Sequence, residues 1–233
     1  MSASESAGYT VEPLLEAIKE GAVARVRELL EADPALVRAR APDGATAIQF
    51  AIYWGHPEMV AVFEQNGALL NLFEACAAGR RARVEVLLDR APMLVNGHSA
   101  DGYPALGLAV FFGHEEVAQL LLEEGADVNA ASKNAQRVTP LHAAVARRNV
   151  KLVGELLERG ADPDAEQAGG FTPLHGAAYH GDREVIEALL KHGADARKKT
   201  ADGKTPADLA REHGNHEIAE RLDAATASSA ATA

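Results

Sequence analysis

The sequence holds one cysteine, Cys76, in 233 residues. No intramolecular disulfide can form, which excludes a disulfide-stapled secreted scaffold. Aromatic residues make up only 5%. Cations are in the minority, 23 Lys and Arg against 34 Asp and Glu, for a net charge of −11. That balance disfavours nucleic acid and anionic membrane surfaces, because phosphate binding needs a surplus of cations. No apolar run approaches the roughly 20 residues that cross a bilayer. The first residues, Met1-Ser2-Ala3-Ser4-Glu5-Ser6, show neither a basic nor an apolar stretch and do not read as a secretory leader. With 47% hydrophobic and 24% charged residues, the expectation is a folded, reduced, cytoplasmic, monomeric protein.

What the chain has instead is repetition. Thr139-Pro140-Leu141-His142, Thr172-Pro173-Leu174-His175 and Thr205-Pro206-Ala207-Asp208 recur every 33 residues. Leu156-Leu157 then Gly160-Ala161-Asp162, and Leu189-Leu190 then Gly193-Ala194-Asp195, follow in the same register. The first half repeats at another offset: residues 14–71 and 72–129 align without a gap and are identical at 22 of 58 positions. This reads as a duplicated two-repeat unit. Gly21, Gly55, Gly79, Gly113, Gly181 and Gly214 fall where a tight turn would join two short helices, and Arg148 takes that place once. Thr46, Thr139, Thr172 and Thr205 sit as helix N-caps, with Pro140, Pro173 and Pro206 at the first helical position.

A 33-residue period with this signature resembles the ankyrin repeat. The resemblance covers residues 11–224 and implies an all-α solenoid of seven stacked helix-turn-helix repeats with β-turn fingers, folding as one domain. The repeats lie near 13–43, 44–71, 72–101, 102–130, 137–168, 170–198 and 203–224. Residues 1–10 and 225–233 are expected to be disordered tails.

Two departures stand out. Gly160 to Gly181 and Gly193 to Gly214 are each 21 residues, but Gly67 to Gly79 is 12, so one finger is expected to be missing between the second and third repeats. Glu64 stands beside that gap, where the pattern expects leucine. In the fifth repeat, residues 130–138 are longer than their counterparts and predict an extended finger.

The resemblance places partner recognition on the finger tips and on the pair preceding each interhelical glycine. The pairs read Tyr53-Trp54, Ala77-Ala78, Phe111-Phe112, Ala146-Arg147, Tyr179-His180 and Glu212-His213; the finger residues read Ala45, Tyr103, Val138, Phe171 and Lys204. Seven of the eleven aromatics fall in these few places, and rigid exposed rings are the usual anchors of interfaces. The alternative is that one residue of each pair packs on the neighbouring repeat. Trp54 and Phe112, flanking the missing finger, are the leading candidates. Residues 1–71 carry 5 basic and 10 acidic side chains, residues 72–129 carry 4 and 9, and residues 130–233 carry 14 and 15. Lys133, Arg137, Arg147, Arg148 and Lys151 form a stretch without acids. Arg137 and Arg147 map to finger and groove and suit an acidic segment of a partner; the alternative is a solvated face neutralised by Glu155 and Glu158.

Catalytic signatures are missing: no Gly-x-Ser-x-Gly elbow, phosphate loop, dinucleotide fingerprint or His-Glu-x-x-His. The resemblance assigns His142 and His175 to bonds with loop backbone, and the nine histidines offer no four-ligand zinc set. The expected function is non-catalytic protein–protein interaction through the concave groove and fingers, with no cofactor and no metal. An inhibitor or immunity-type regulator that covers a partner enzyme is the alternative. An enzyme with an unrecognised site around His180 or Cys76 is a distant one.

Overall fold

The computed structural model describes residues 11–230, with side chains through 227. Its fourteen α-helices pair in chain order: α1 (Glu12–Lys19) with α2 (Val23–Ala32), α3 (Ala47–Tyr53) with α4 (Met59–Gln65), α5 (Leu72–Ala77) with α6 (Arg81–Arg90) and α7 (Ala105–Phe111) with α8 (Glu115–Glu123). There follow α9 (Pro140–Ala146) with α10 (Val150–Glu158), α11 (Pro173–His180) with α12 (Arg183–Lys191) and α13 (Pro206–Glu212) with α14 (His216–Ala230). Among the described residues there is no extended strand, only isolated bridges at the finger stems, Arg40 with Thr46, His98 with Pro104 and Gln167 with Phe171. The fold is an all-α solenoid.

Odd-numbered helices pack on one another down the stack, from α1 on α3 through α11 on α13. The core runs between this row and the even-numbered helices, along buried Leu14, Leu30, Phe63, Leu121, Leu156 and Ile186. No helix pair could enclose these side chains alone; each buried aliphatic contributes about 1.5–3 kcal/mol only once its neighbours stack.

Local chemistry sets the helix starts. Thr46 Oγ1 accepts from Gln49 N, and Thr205 Oγ1 from Asp208 N. Asn71 does the same for fingerless α5, accepting from Glu74 N while the Glu74 carboxylate accepts from Asn71 N. In α9 and α11 the residue three past the cap is histidine. His142 Nε2 lies 3.1 Å from Phe171 O and His175 Nε2 3.1 Å from Lys204 O. A carbonyl only accepts, so Nε2 carries the proton and Nδ1 faces the Thr139 and Thr172 caps. Each imidazole thus ties one helix start to the next finger.

Burial pushes the pKa values of His142, His175 and His114 below the ordinary histidine range. Unfolded, these rings take up protons near pH 6.5; folded, they do so only at lower pH. The unfolded state therefore binds more protons as pH falls below about 6.5, and stability, complete above that pH, is lost on acidification. Urea unfolding at pH 7.5 and 5.5 should show the lower stability at pH 5.5, with a smaller difference in a His142→Gln/His175→Gln variant. Equal stability at both pH values would contradict this account.

Among the described residues, two that are not glycine adopt positive φ: Arg148 (+55°), at the interhelical turn that glycine occupies elsewhere, and Arg137 (+54°), at the finger turn. A side chain there costs about 1–2 kcal/mol. Arg148 Nε donates to Asp182 Oδ2 at 2.9 Å, but the arginine is largely exposed and such pairs contribute little. Arg148→Gly should therefore stabilise the protein by about 1 kcal/mol in urea unfolding. A loss of stability would mean the Asp182 pair outweighs the turn strain.

The short spacing before Gly79 shows as a direct passage from α4 into α5 through residues 66–71, with no finger between. Glu64 beside it accepts from Arg80 Nε and Nη2 at 3.1 and 2.9 Å. In the longer finger, Ser132 N donates to Val138 O and closes the turn. One expectation needs correction: the tail from 225 is not disordered throughout, because α14 continues to Ala230. The alanine-rich stretch 224–230 has high helix propensity, and Thr226 Oγ1 bonds back to Leu222 O at 3.0 Å. The tail expected at 1–10 lies outside the described residues, as do 231–233.

Candidate protein-recognition site

The missing finger shapes the recognition face. α5 ends at Ala77, and Ala77 and the following Ala78 are both buried where the two flanking repeats carry Tyr53-Trp54 and Phe111-Phe112. Above these small residues Tyr53, the last residue of α3, reaches across to the α7 side. Its ring stacks on Phe112 with centroids 5.6 Å apart and planes at 21°. Its Oη donates to Asp101 Oδ2 at 2.6 Å, and Ser99 Oγ donates to the other carboxylate oxygen at 2.6 Å. Partial burial, then the Asp101 carboxylate, hold the phenol well above its ordinary pKa, so Tyr53 stays a neutral donor. Phe111 meets Phe112 edge to face at 5.1 Å.

These rings bound a pocket of about 320 Å³ lined by Tyr53, Tyr103, Leu108, Phe111, Phe112 and Val138, with Gly107, Thr139 and Ala143 completing its floor. Gly107 occupies the α7 position that holds His142 in α9 and His175 in α11, so no side chain stands there. The sequence reading passed over Gly107; comparing Pro104-Ala105-Leu106-Gly107 with Thr139-Pro140-Leu141-His142 contains the signal. Phe111 is 51% exposed and Tyr53 42%, whereas Phe112 and Tyr103 are partly buried against the core. In this pair Phe112 packs inward and Phe111 faces out.

The other predicted residues lie in separate groups. Trp54, 50% exposed, sits against Phe50 at 5.6 Å with Lys19 Nζ 5.3 Å from its ring centroid. The ring facing Phe112 is that of Tyr53. Tyr179, 47% exposed, lies 4.0 Å from the His213 ring and 5.1 Å from that of His180. Phe171 packs edge-on against His175 at 5.8 Å.

Among the described residues, Lys133, Arg137 and Arg147 have no acidic partner within salt-bridge distance, while Lys151 pairs with Glu115 and Arg148 with Asp182. Arg137 adjoins Val138, and Arg147 stands one helical turn beyond Ala143, its N–H donating to Ala143 O at 3.1 Å. In the chain, Arg137 immediately precedes the pocket-lining Val138 and Arg147 follows the pocket-lining Ala143. Cys76 is fully buried and burial pushes its thiol up to about 12, which withholds the thiolate. His180 is exposed beside Tyr179. Among the described residues no group of three His, Cys, Asp or Glu could hold a metal ion, and no helix is long and apolar enough to cross a membrane.

Comparison with known proteins agrees with the architecture. Residues 71–132 and 141–228 match the family description "Ankyrin repeats (3 copies)". The chain is 26% identical over 155 residues, 61% of its length, to phosphocholine transferase AnkX of Legionella pneumophila, of which it spans only 16%. It is 30% identical over 159 residues to the probable 26S proteasome regulatory subunit p28 of Saccharomyces cerevisiae, covering 62% of this chain and 68% of the relative. It is 31% identical over 132 residues to the NF-kappa-B p105 subunit of Gallus gallus, covering 52% and 13%. Such repeats generally serve protein–protein interaction and are generally non-catalytic. Period, caps, stacked helix pairs and the match to more than half of the residues together show that the chain belongs to the ankyrin-repeat family.

Proposed function

We propose that this protein is a non-catalytic recognition module whose groove takes an apolar side chain, flanked by acidic residues, from a protein partner. The observation that carries this reading is the half-exposed Phe111 at the rim of a 320 Å³ aromatic pocket, followed along the chain by the unpaired Arg137 and Arg147. An exposed ring in an aromatic-poor protein is costly in solubility unless a partner covers it. Stacked repeats hold the rings rigidly, so little conformational entropy is lost on binding. The guanidinium forks suit carboxylates beside the anchor. The module acts as a cytoplasmic monomer, and Trp54, Phe171, Tyr179 and His180 extend the contact along the same face.

The test compares the wild-type chain with a Phe111→Ser/Arg147→Glu variant as bait in lysate of the source organism, read by mass spectrometry. A protein enriched on the wild type and lost from a variant that melts at the same temperature is the expected result. Equal recovery on both baits would refute the groove as the binding site.

A further inference from the structure

The fingers are joined by a repeated backbone bond. Each later finger donates an N–H to a carbonyl of the finger before it: Lys133 N to Gly102 O (2.8 Å), Ala168 N to Gln136 O (2.9 Å) and Ala201 N to Gly169 O (2.8 Å). In every case the donor directly follows the residue whose own N–H closes the finger: Ser132, Gln167 or Thr200. In the finger closed by Ser99 N to Tyr103 O, the corresponding donor is Ala100, and its N–H has no partner among the described residues. The finger that would receive it is the missing one. On the other side of the gap, the first finger is closed by Ala41 N to Ala45 O, and the next residue is Pro42, which has no N–H to offer. Its Gly44 carbonyl, which in the following finger would accept from a neighbour, is met instead by Arg40 Nη1 at 2.8 Å.

The side chains show the same vacancy. His142 and His175 each donate to the carbonyl of the finger that follows. Gln49 holds that position in α3, and with no finger after it its amide reaches only Tyr53 Oη, at 3.4 Å. Between the two fingers and above α5 lies a cavity of about 130 Å³ lined by Arg40, Gln49, Tyr53, Glu74 and Ala100 among others. Glu74 is only 6% exposed.

We infer that this slot receives a β-turn loop of a partner protein, which takes the place of the absent finger. The loop's backbone accepts from Ala100 N–H and from the Gln49 amide, and it donates to Gly44 O in place of Arg40. Charge selects a loop carrying lysine or arginine: Glu74 lines the slot and the Asp101 carboxylate is bonded to its lining residues Tyr53 and Ser99, against the single lining cation Arg40, within a half of the chain where acids outnumber bases about two to one. Tyr53 lines both this slot and the aromatic pocket, so one partner segment can fill both. The inference rests on the reading of the chain as a recognition module, but it concerns a slot whose lining includes neither Phe111 nor Arg147.

The probe is a backbone-cyclised peptide with the sequence of residues 199–206, Lys-Thr-Ala-Asp-Gly-Lys-Thr-Pro, a finger this chain already accommodates in its last repeat. Titrated into the 15N-labelled full chain, it should shift the amide signals of Ala100 and Gly44 and the side-chain amide of Gln49, with a Kd on the order of 1 mM. Ala100→Pro removes one N–H at a position where the first finger already carries Pro42, so the fold should tolerate it. Affinity for the peptide should then drop by about fivefold, the loss of one backbone bond. Three results would overturn the inference: no shift at millimolar peptide, shifts confined to Phe111 and Arg147, or unchanged affinity in a folded Ala100→Pro variant. The peptide needs no natural partner, so its failure would leave the groove reading to its own bait experiment.

Discussion

Replacement of Gly79 by alanine is expected to lower the free energy of unfolding by about 3 kcal/mol, a large share of a typical domain's stability. Gly79 joins α5 to α6 at φ +68°, a conformation that costs a side chain about 1–2 kcal/mol by itself. A Cβ there would lie 2.5 Å from His114 Nδ1 and 2.8 Å from its Cε1. The imidazole cannot retreat freely, because its Nε2 is held 3.0 Å from Ala77 O at the end of α5. Relieving the clash breaks that bond, adding about 1 kcal/mol. The same turn one repeat earlier supplies the control: Gly55 has φ +83°, but a Cβ there meets nothing within 4 Å. Gly55→Ala should therefore cost about 1–2 kcal/mol, the backbone strain alone. Urea unfolding of both variants decides the matter; equal losses would remove His114 from the account. A His114→Ala background should return part of the Gly79→Ala deficit, since the ring is then gone.

The second large effect concerns binding. Once the partner is identified, Phe111→Ser should weaken its affinity by roughly 30-fold or more, about 2 kcal/mol or above, the scale of an aromatic anchor leaving a pocket. Phe111 stands half exposed at the pocket rim and touches Phe112 edge-on, so truncating it removes partner-facing area while the core keeps Phe112. Its thermal unfolding should consequently match the wild type. Trp54→Ser serves as the contrast: its ring belongs to the Phe50 and Lys19 group and should change affinity less. Calorimetric titration of both variants tests this ranking, and a larger loss for Trp54 would reverse it.

Much of the architecture was legible beforehand because it is local. A threonine cap accepts from an N–H three residues on, proline at the first helical position sacrifices only a donor that has no helical partner, and an interhelical turn needs positive φ; each requirement acts within four or five residues. The deletion before Gly79 and the lengthened fifth finger were visible as spacings for the same reason. The stretch 224–230 lacks an amphipathic pattern, the signal on which an expectation of disorder rests, yet alanine propensity and continuity with α14 suffice to carry the helix on.

The recognition face was less legible. Register alone places Trp54 and Phe112 on either side of the gap, but it does not show that Tyr53 is the ring that crosses it: Ala77 and Ala78 leave room there and Asp101, 48 residues away, receives its hydroxyl. Which of Lys133, Arg137, Arg147, Arg148 and Lys151 stay unpaired likewise depended on acids in adjacent repeats, Glu115 and Asp182. Period, caps and turns follow from chemistry between close neighbours in the chain, so the order of amino acids was enough to establish them. The meeting of Tyr53 with Phe112 and the unbonded Ala100 N–H follow from which repeats stack side by side, and that is settled only when the whole pile of helices closes over the missing finger.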